Sequence, residues 1–298
     1  MVHLIQRALK EAEITMRCIL FIALIITSFS NPLSAHELTG TLQQIEKSRE
    51  IRIGYRQTMP PMSFLGKDGL PVGYSIDLCA EVVREVEKIL GVAVKSHYVP
   101  VTAEDRFTAL EDNKIDLLCG ATTKTISRGE IVDFTQLTFV TGASFMALKE
   151  TKIRNNFEGK KIGVSKGTTT ATALEKLLTD AEVKADIVFV KSKEDALKAL
   201  DKGDIDAFAA DQVVLIGMAL ISGHPKSYSI LPDLFSYEPL ALALRRNDAD
   251  FRLVADRVIS DLYRSKKILK IYDDWFGQFA KQRSSAFDAL IQLNAIPE

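Results

Sequence analysis

The amino-acid sequence predicts an α/β protein of two similar lobes facing one another across a cleft. A helix-turn-strand unit occurs twice, as RFTALEDNKIDLLCGAT from Arg106 and as ALKALDKGDIDAFAADQ from Ala196. Aligned, the copies match Ala109 with Ala199, Leu110 with Leu200, Glu111 with Asp201, Ile115 with Ile205 and Asp116 with Asp206. They also pair Ala121 with Asp211, just past each strand. Around each copy the elements run β-α-β-α-β, the order of a largely parallel sheet. Ligands of such sheets bind beyond the carboxyl ends of the strands, so facing lobes place a site between them.

At the N-terminus, Met16-Arg17 is followed by the apolar run CILFIALIITSF and then SNPLSA. These are the parts of a secretory signal peptide; the run is shorter than the roughly 20 apolar residues of a membrane span, although an uncleaved anchor is the alternative. Glu11 and Glu13 sit where such leaders are poor in acid, so Met16 is taken as the start and residues 1–35 as a segment removed after Ala35. The 298 residues are 47% hydrophobic and 26% charged with net charge −1, an ordinary globular balance and enough chain for two domains. Near-neutral charge without long basic runs leaves no electrostatic footprint for nucleic acid. Cys18 departs with the leader, and Cys79 and Cys119 remain as an even pair in an oxidising compartment. A bridge is expected, with two buried free thiols as the alternative. Neither a Cys-x-x-Cys motif nor a cluster of the four histidines offers a metal site.

In order, residues 41–50 read as a short helix and Ile51–Arg56 as a strand ending at the turn signal MPP. GKDG is a hairpin-type turn. From Gly73, Leu78, Val82, Val83, Val86, Ile89 and Leu90 share one helical face, with Ser75 as N-cap and Gly91 as the stop. The strand KSHYVPV and the first repeat unit complete this half. In the second half KKIGVSK echoes IRIGYRQ, GTTTATALEKLL is a helix with Leu174, Leu177 and Leu178 inward, and ADIVFV leads into the second repeat unit. YEPLALALRR then reads as a strand, followed by helices around Phe251, Val254, Val258 and Leu262 and around Ile268, Ile271, Trp275 and Phe276. Having no counterpart in the second half, these are assigned to the first. The expected division is residues 36–147 and 240–281 for lobe 1, 148–239 for lobe 2 and 282–298 for a packing tail. Two crossings, near 146–151 and 236–241, form a hinge.

Taken together, IRIGYRQTMPPMSF, PVGYSIDLCAEVV, CGATTKTISRGEIVDFTQ, GVSKGTTT and IYDDWFG resemble family 3 of the extracellular solute-binding proteins, the polar amino-acid receptors of bacterial ABC importers. Within that family the sequence is most similar to the glutamate/aspartate-binding branch. The likeness spans roughly residues 38–280. It implies a type II periplasmic-binding-protein-like fold and a periplasmic monomer without cofactor. Such a protein traps a polar, acidic amino acid by lobe closure and docks on a membrane permease.

A buried zwitterion needs a cation and N–H or O–H donors for its carboxylate, and a carboxylate for its ammonium, because an unpaired buried charge is prohibitive. The resemblance implies that Arg128 and Thr123 take the α-carboxylate; a lone arginine would otherwise be read as a surface ion pair. GTTTATALE offers helix-terminal N–H groups, an anion site, beside the hydroxyls of Thr168 and Thr169, although threonine is also a common N-cap. Asp211 is the expected ammonium partner, its bland alternative being the cap of the next helix. Arg56, Arg106 and Lys193 would serve a ligand with two carboxylates. Lys193 stands where the branch has histidine, and Ala103 and Ala121 stand where it has ligand-contacting serines. Met62, Phe64 and Tyr74 are candidates for an apolar wall beside the ligand or for core, and Phe134 and Phe139 for the core of lobe 1. Two other readings are an exported cyclohexadienyl dehydratase-like enzyme, with Glu104 or Glu194 as general acid, and a sensor input module.

Overall fold

The structure, a computed structural model, describes residues 37–297 except 152, 154, 155 and 278–282, together with residues 1 and 3. The leader expected between Met16 and Ala35 lies outside the described residues. Among those described, no helix is long and apolar enough to cross a membrane.

Two five-stranded sheets are built on one plan. The chain begins with α1 (Gly40–Ser48), β1 (Glu50–Tyr55), a small sheet of β2 (Thr58–Met59), β3 (Ser63–Leu65) and β4 (Pro71–Val72), α2 (Tyr74–Leu90), β5 (Lys95–Pro100), α3 (Arg106–Glu111), β6 (Leu117–Cys119) and β7 (Val132–Thr141). It crosses into β8 (Ala143–Leu148), β9 (Lys161–Val164), α4 (Thr169–Asp180), β10 (Asp186–Phe189), α5 (Lys193–Lys202), β11 (Ala207–Asp211), α6 (Gln212–Ile221) and β12 (Tyr228–Ile230). It returns through β13 (Glu238–Arg245) to α7 (Ala249–Arg264), α8 (Lys267–Phe276) and α9 (Ser285–Leu293). The strand orders are β5-β1-β6-β13-β7 and β10-β9-β11-β8-β12. In each, the first three strands are parallel and the fourth is antiparallel. That fourth strand has just arrived from the other lobe.

The repeat unit is the same object in both lobes. Its turn needs a left-handed residue, supplied by Asn113 (φ 57°) and Gly203 (φ 73°), residue types that tolerate that region. The following N–H closes back on the helix in each, Lys114 on Ala109 and Asp204 on Ala199, both at 2.8 Å. Ile115 and Ile205 then fill the space above Gly54 and Gly163, where a Cβ would lie 2.4 and 2.6 Å from the isoleucine Cδ1.

Three expectations about this architecture change. Helix α2 is capped by Gly73 rather than Ser75: Gly73 holds φ 136°, and a Cβ there would lie 2.4 Å from the Met62 carbonyl oxygen. Ser75, inside the helix, donates to the Gly120 carbonyl at 3.1 Å. Ile89 is exposed, while Leu78, Val82, Val83 and Val86 form the buried stripe. The first sheet-to-sheet crossing falls at Gly142 instead of near 146–151, because β8 belongs wholly to the second sheet. A Cβ on Gly142 would lie 2.4 Å from the Ser236 carbonyl oxygen, so only glycine lets the two crossings run side by side.

Cys79 on α2 and Cys119 at the end of β6 are bridged, with Cα atoms 6.3 Å apart. The tail helix α9 packs Phe287 between Tyr272 and Phe139, ring centroids 4.5 and 5.4 Å away, closing an aromatic cluster on β7.

Candidate functional site

Nine of the residues singled out for ligand contact come to the carboxyl ends of the two sheets and line one cavity. Arg56 follows β1, Arg106 opens α3, Ala121 and Thr123 follow β6, and Arg128 begins a single 3-10 turn. From the second lobe Thr168 and Thr169 start α4, Lys193 starts α5 and Asp211 ends β11. The cavity they line has a volume of about 30 Å³.

Two of the charged groups here are uncommitted. The Arg56 guanidinium and the Asp211 carboxylate make no hydrogen bond among the described residues; Asp211 holds the N-cap position of α6 without capping it. Arg106 is buried, gives its Nη groups to the carbonyls of Ala103 and Gly167, and leaves Nε without a partner. Arg128 donates to the Thr123 carbonyl at 2.8 Å. Both arginines face the Phe107 ring, at 4.4 and 5.3 Å, where its π-face favours cations. Thr168 fulfils the cap reading, its hydroxyl accepting from the Ala171 N–H at 3.2 Å.

The charges strain against burial. Burial, then the neighbouring Arg56, lowers the Lys193 ammonium to about 7, with Asp211 opposing. Burial, then Glu238, raises the Asp211 carboxyl to about 7 against the pull of Lys193, Arg128 and Arg106. Burial also lowers Arg56 to about 10, and burial together with Arg128 and Arg56 lowers Arg106 well below the ordinary arginine value. Four cationic side chains and one carboxylate thus face a small volume, an arrangement completed by a ligand with more negative than positive charge.

Sequence reasoning missed Ser165 and Glu238. Ser165 Oγ accepts from Lys193 Nζ at 2.9 Å, so Lys193 is buried and bonded. The echo of IRIGYRQ in KKIGVSK sets Ser165 opposite Arg56, a signal that could have found it. None of Met62, Phe64 and Tyr74 lines the cavity, so of their two readings, wall or core, the wall gives way. Tyr74 is fully buried with its hydroxyl on the Thr138 carbonyl at 2.8 Å, and Phe64 packs edge-on against Trp275, while Met59 and Val214 supply the apolar lining. Phe134 and Phe139 are core, as expected. Glu104 and Glu194 are exposed and do not line the cavity. No cluster of His, Cys, Asp or Glu able to hold a metal occurs among the described residues.

The lobes touch across the cavity. Arg106 Nη2 reaches the Gly167 carbonyl at 3.1 Å, Lys166 lies 3.7 Å from Glu104, and Thr123 and Thr169 hydroxyls are 3.2 Å apart. Two hinged α/β lobes closing on an ion-lined cavity define a solute-binding protein of the type II periplasmic fold. Residues 51–278 match the profile of the bacterial extracellular solute-binding proteins, family 3, and the chain belongs to that family. It is 32% identical over 260 residues, 86% of each chain, to an L-glutamate/L-aspartate-binding protein of Pseudomonas aeruginosa. It is 29% identical over 240 residues, 80% of each, to the glutamate/aspartate import solute-binding protein of Salmonella typhimurium. A cysteine-binding protein from Campylobacter jejuni shares the fold, with TM-score 0.72 at 23% identity over 83% of this chain and 98% of that one. These relatives are binding proteins, not enzymes.

Proposed function

We propose that this protein is the exported, periplasmic binding component of an ABC importer, capturing one free amino acid with two carboxylates, glutamate or aspartate, and presenting it unchanged to a membrane permease. The observation that carries this reading is the imbalance of the cavity: Arg56, Arg106, Arg128 and Lys193 against Asp211. Arg128 and the free N–H groups at the start of α4 take the α-carboxylate, Asp211 takes the ammonium, and Arg56 and Arg106 take the side-chain carboxylate. Lys193 adds charge without being released from Ser165. The protein acts as a monomer, the lobes closing because the ligand bonds to both.

Calorimetry and thermal shift with the twenty amino acids on ligand-free protein test this. Glutamate or aspartate should stabilise most, by about 2.7 kcal/mol at a hundredfold excess over Kd. Stabilisation by arginine, lysine or histidine alone would overturn the assignment of Arg56 and Arg106. Prephenate should bind weakly and not turn over.

A further inference from the structure

We infer that Glu238 is the positioning residue of this cavity: one carboxylate at the hinge that holds both lobes closed and sets the direction of the hydroxyls of Thr123 and Thr169. Glu238 is the first residue of β13, immediately after the second crossing, and is 1% exposed. Its Oε2 accepts from Thr123 Oγ1 at 2.5 Å and from Thr169 Oγ1 at 2.6 Å, one hydroxyl from each lobe. Its Oε1 accepts from Ser236 Oγ at 2.6 Å, and that hydroxyl accepts from the N–H of Ala143, the first residue beyond the other crossing. A single side chain therefore ties the two lobes and the two hinge segments together.

The proton count fixes what the cavity offers. A threonine hydroxyl has one hydrogen and two lone pairs. With both hydrogens given to Glu238, Thr123 and Thr169 face a ligand as acceptors, suited to an ammonium. The carboxylate is left to Arg128 and to backbone N–H groups. This corrects the expectation that the Thr123 hydroxyl donates to the ligand carboxylate, and it rests on the reading of these threonines as ligand contacts. Lobe closure by the clasp does not depend on that reading.

The variants E238A, E238Q and S236A separate the parts. In ligand-free E238A, small-angle scattering should show a larger radius of gyration than wild type. Affinity for every amino acid that binds should fall by about tenfold without reordering, as follows when the closed form is about tenfold less populated. E238Q retains an acceptor for both threonines and an amide facing Ser236, and should stay within about twofold of wild type. S236A should open the ligand-free protein part-way. An E238A protein with wild-type radius and affinity overturns the inference, as does E238Q opening as far as E238A. If E238A loses its cooperative thermal transition, S236A decides alone, unchanged radius and affinity overturning the clasp. A protein that binds no amino acid refutes the proposed function but leaves the scattering arm intact.

Discussion

Asp116 and Asp206 occupy the same place in the two copies of the repeat unit, and the chain has used them differently. Each carboxylate accepts the backbone N–H of the neighbouring strand, Arg52 at 2.8 Å and Lys161 at 2.9 Å. Beyond that shared bond, Asp116 is fully buried and also binds the Arg52 guanidinium at 2.7 Å, Arg245 at 3.0 Å and Gln44 at 3.1 Å. Among the described residues Asp206 has only Lys160, at 3.1 Å in a partly exposed pair. The unit requires one carboxylate to join its strand to the next. Lobe 1, which also carries α1 and the returning β13, has built a charge network on it. At the cleft end the copies diverge further, Ala121 against Asp211, where both line the cavity.

The widest separation of the two copies comes from removing those carboxylates. D116A removes the buried carboxylate that holds the half-buried Arg52 and Arg245 and should cost up to about 3 kcal/mol in urea denaturation, at the low end for a broken ion pair because both arginines keep other partners. D206A, losing a screened pair, should cost about 1 kcal/mol or less. Equal losses would refute the claimed division of labour. Burial alone would raise the Asp116 carboxyl, but the side-chain and backbone hydrogen bonds from Arg52, its charge and that of Arg245 hold it below 3.8. A depressed carboxyl stabilises above its unfolded value and loses that contribution as the pH falls through the folded one. The D116A penalty should therefore be full near neutrality and shrink in acid below pH 4.

The doubled unit was legible because its hydrophobic spacing, its Asn113 and Gly203 turns and its aspartates recur in order, and local chemistry of that kind is written in consecutive residues. Of the candidate site residues, the repeat marks only Ala121 and Asp211, just past its two strand ends; most of the others were legible only through motifs shared with the family. Gly142 and Glu238 were not. Their roles depend on the side-by-side approach of two crossings distant in sequence, and no periodicity records that. Tyr74 was left between wall and core because an aromatic at a helix start looks alike whether it faces a cleft or finds the Thr138 carbonyl inside the core.

Lobe 1 also carries the disulfide, and lobe 2 has no cysteine. The double variant C79S/C119S should lose about 2–4 kcal/mol. If lobe 1 unfolds first as a result, denaturation followed by Trp275, which packs on lobe 1 through its bond to Asp77 at 2.6 Å, should precede the far-ultraviolet transition. Coincident transitions would show that the lobes unfold as one.

The cleft should show the opposite trade. D211N removes the proposed ammonium partner and should weaken amino-acid binding by about a hundredfold, near the lower end of what breaking a buried charge pair costs. The ligand-free protein should nevertheless gain stability. A carboxyl raised from 3.8 to about 7 destabilises the fold progressively as pH rises across that interval, since the unfolded chain gives up its proton first. The gain in D211N should accordingly be largest above pH 7 and vanish near pH 4. A uniform loss of stability would mean that Asp211 has a structural partner in the ligand-free state.

The smallest of these effects is the cleanest test of closure itself. Gly217 lies inside α6, and a Cβ there would sit 2.3 Å from the carbonyl oxygen of Pro60 in the other lobe. Alanine is favoured over glycine within a helix by about 1 kcal/mol, so G217A should slightly stabilise the open form of the ligand-free protein. It should at the same time hold the lobes apart and weaken binding by about tenfold, or 1.4 kcal/mol. Gly167 faces the same interface, its Cβ position 3.1 Å from the Ala103 carbonyl oxygen, but it also holds φ 73°. Alanine there is strained whether the cleft is open or shut. G167A should thus lose stability and affinity together, whereas G217A should move them in opposite directions, as only a contact made on closing can do.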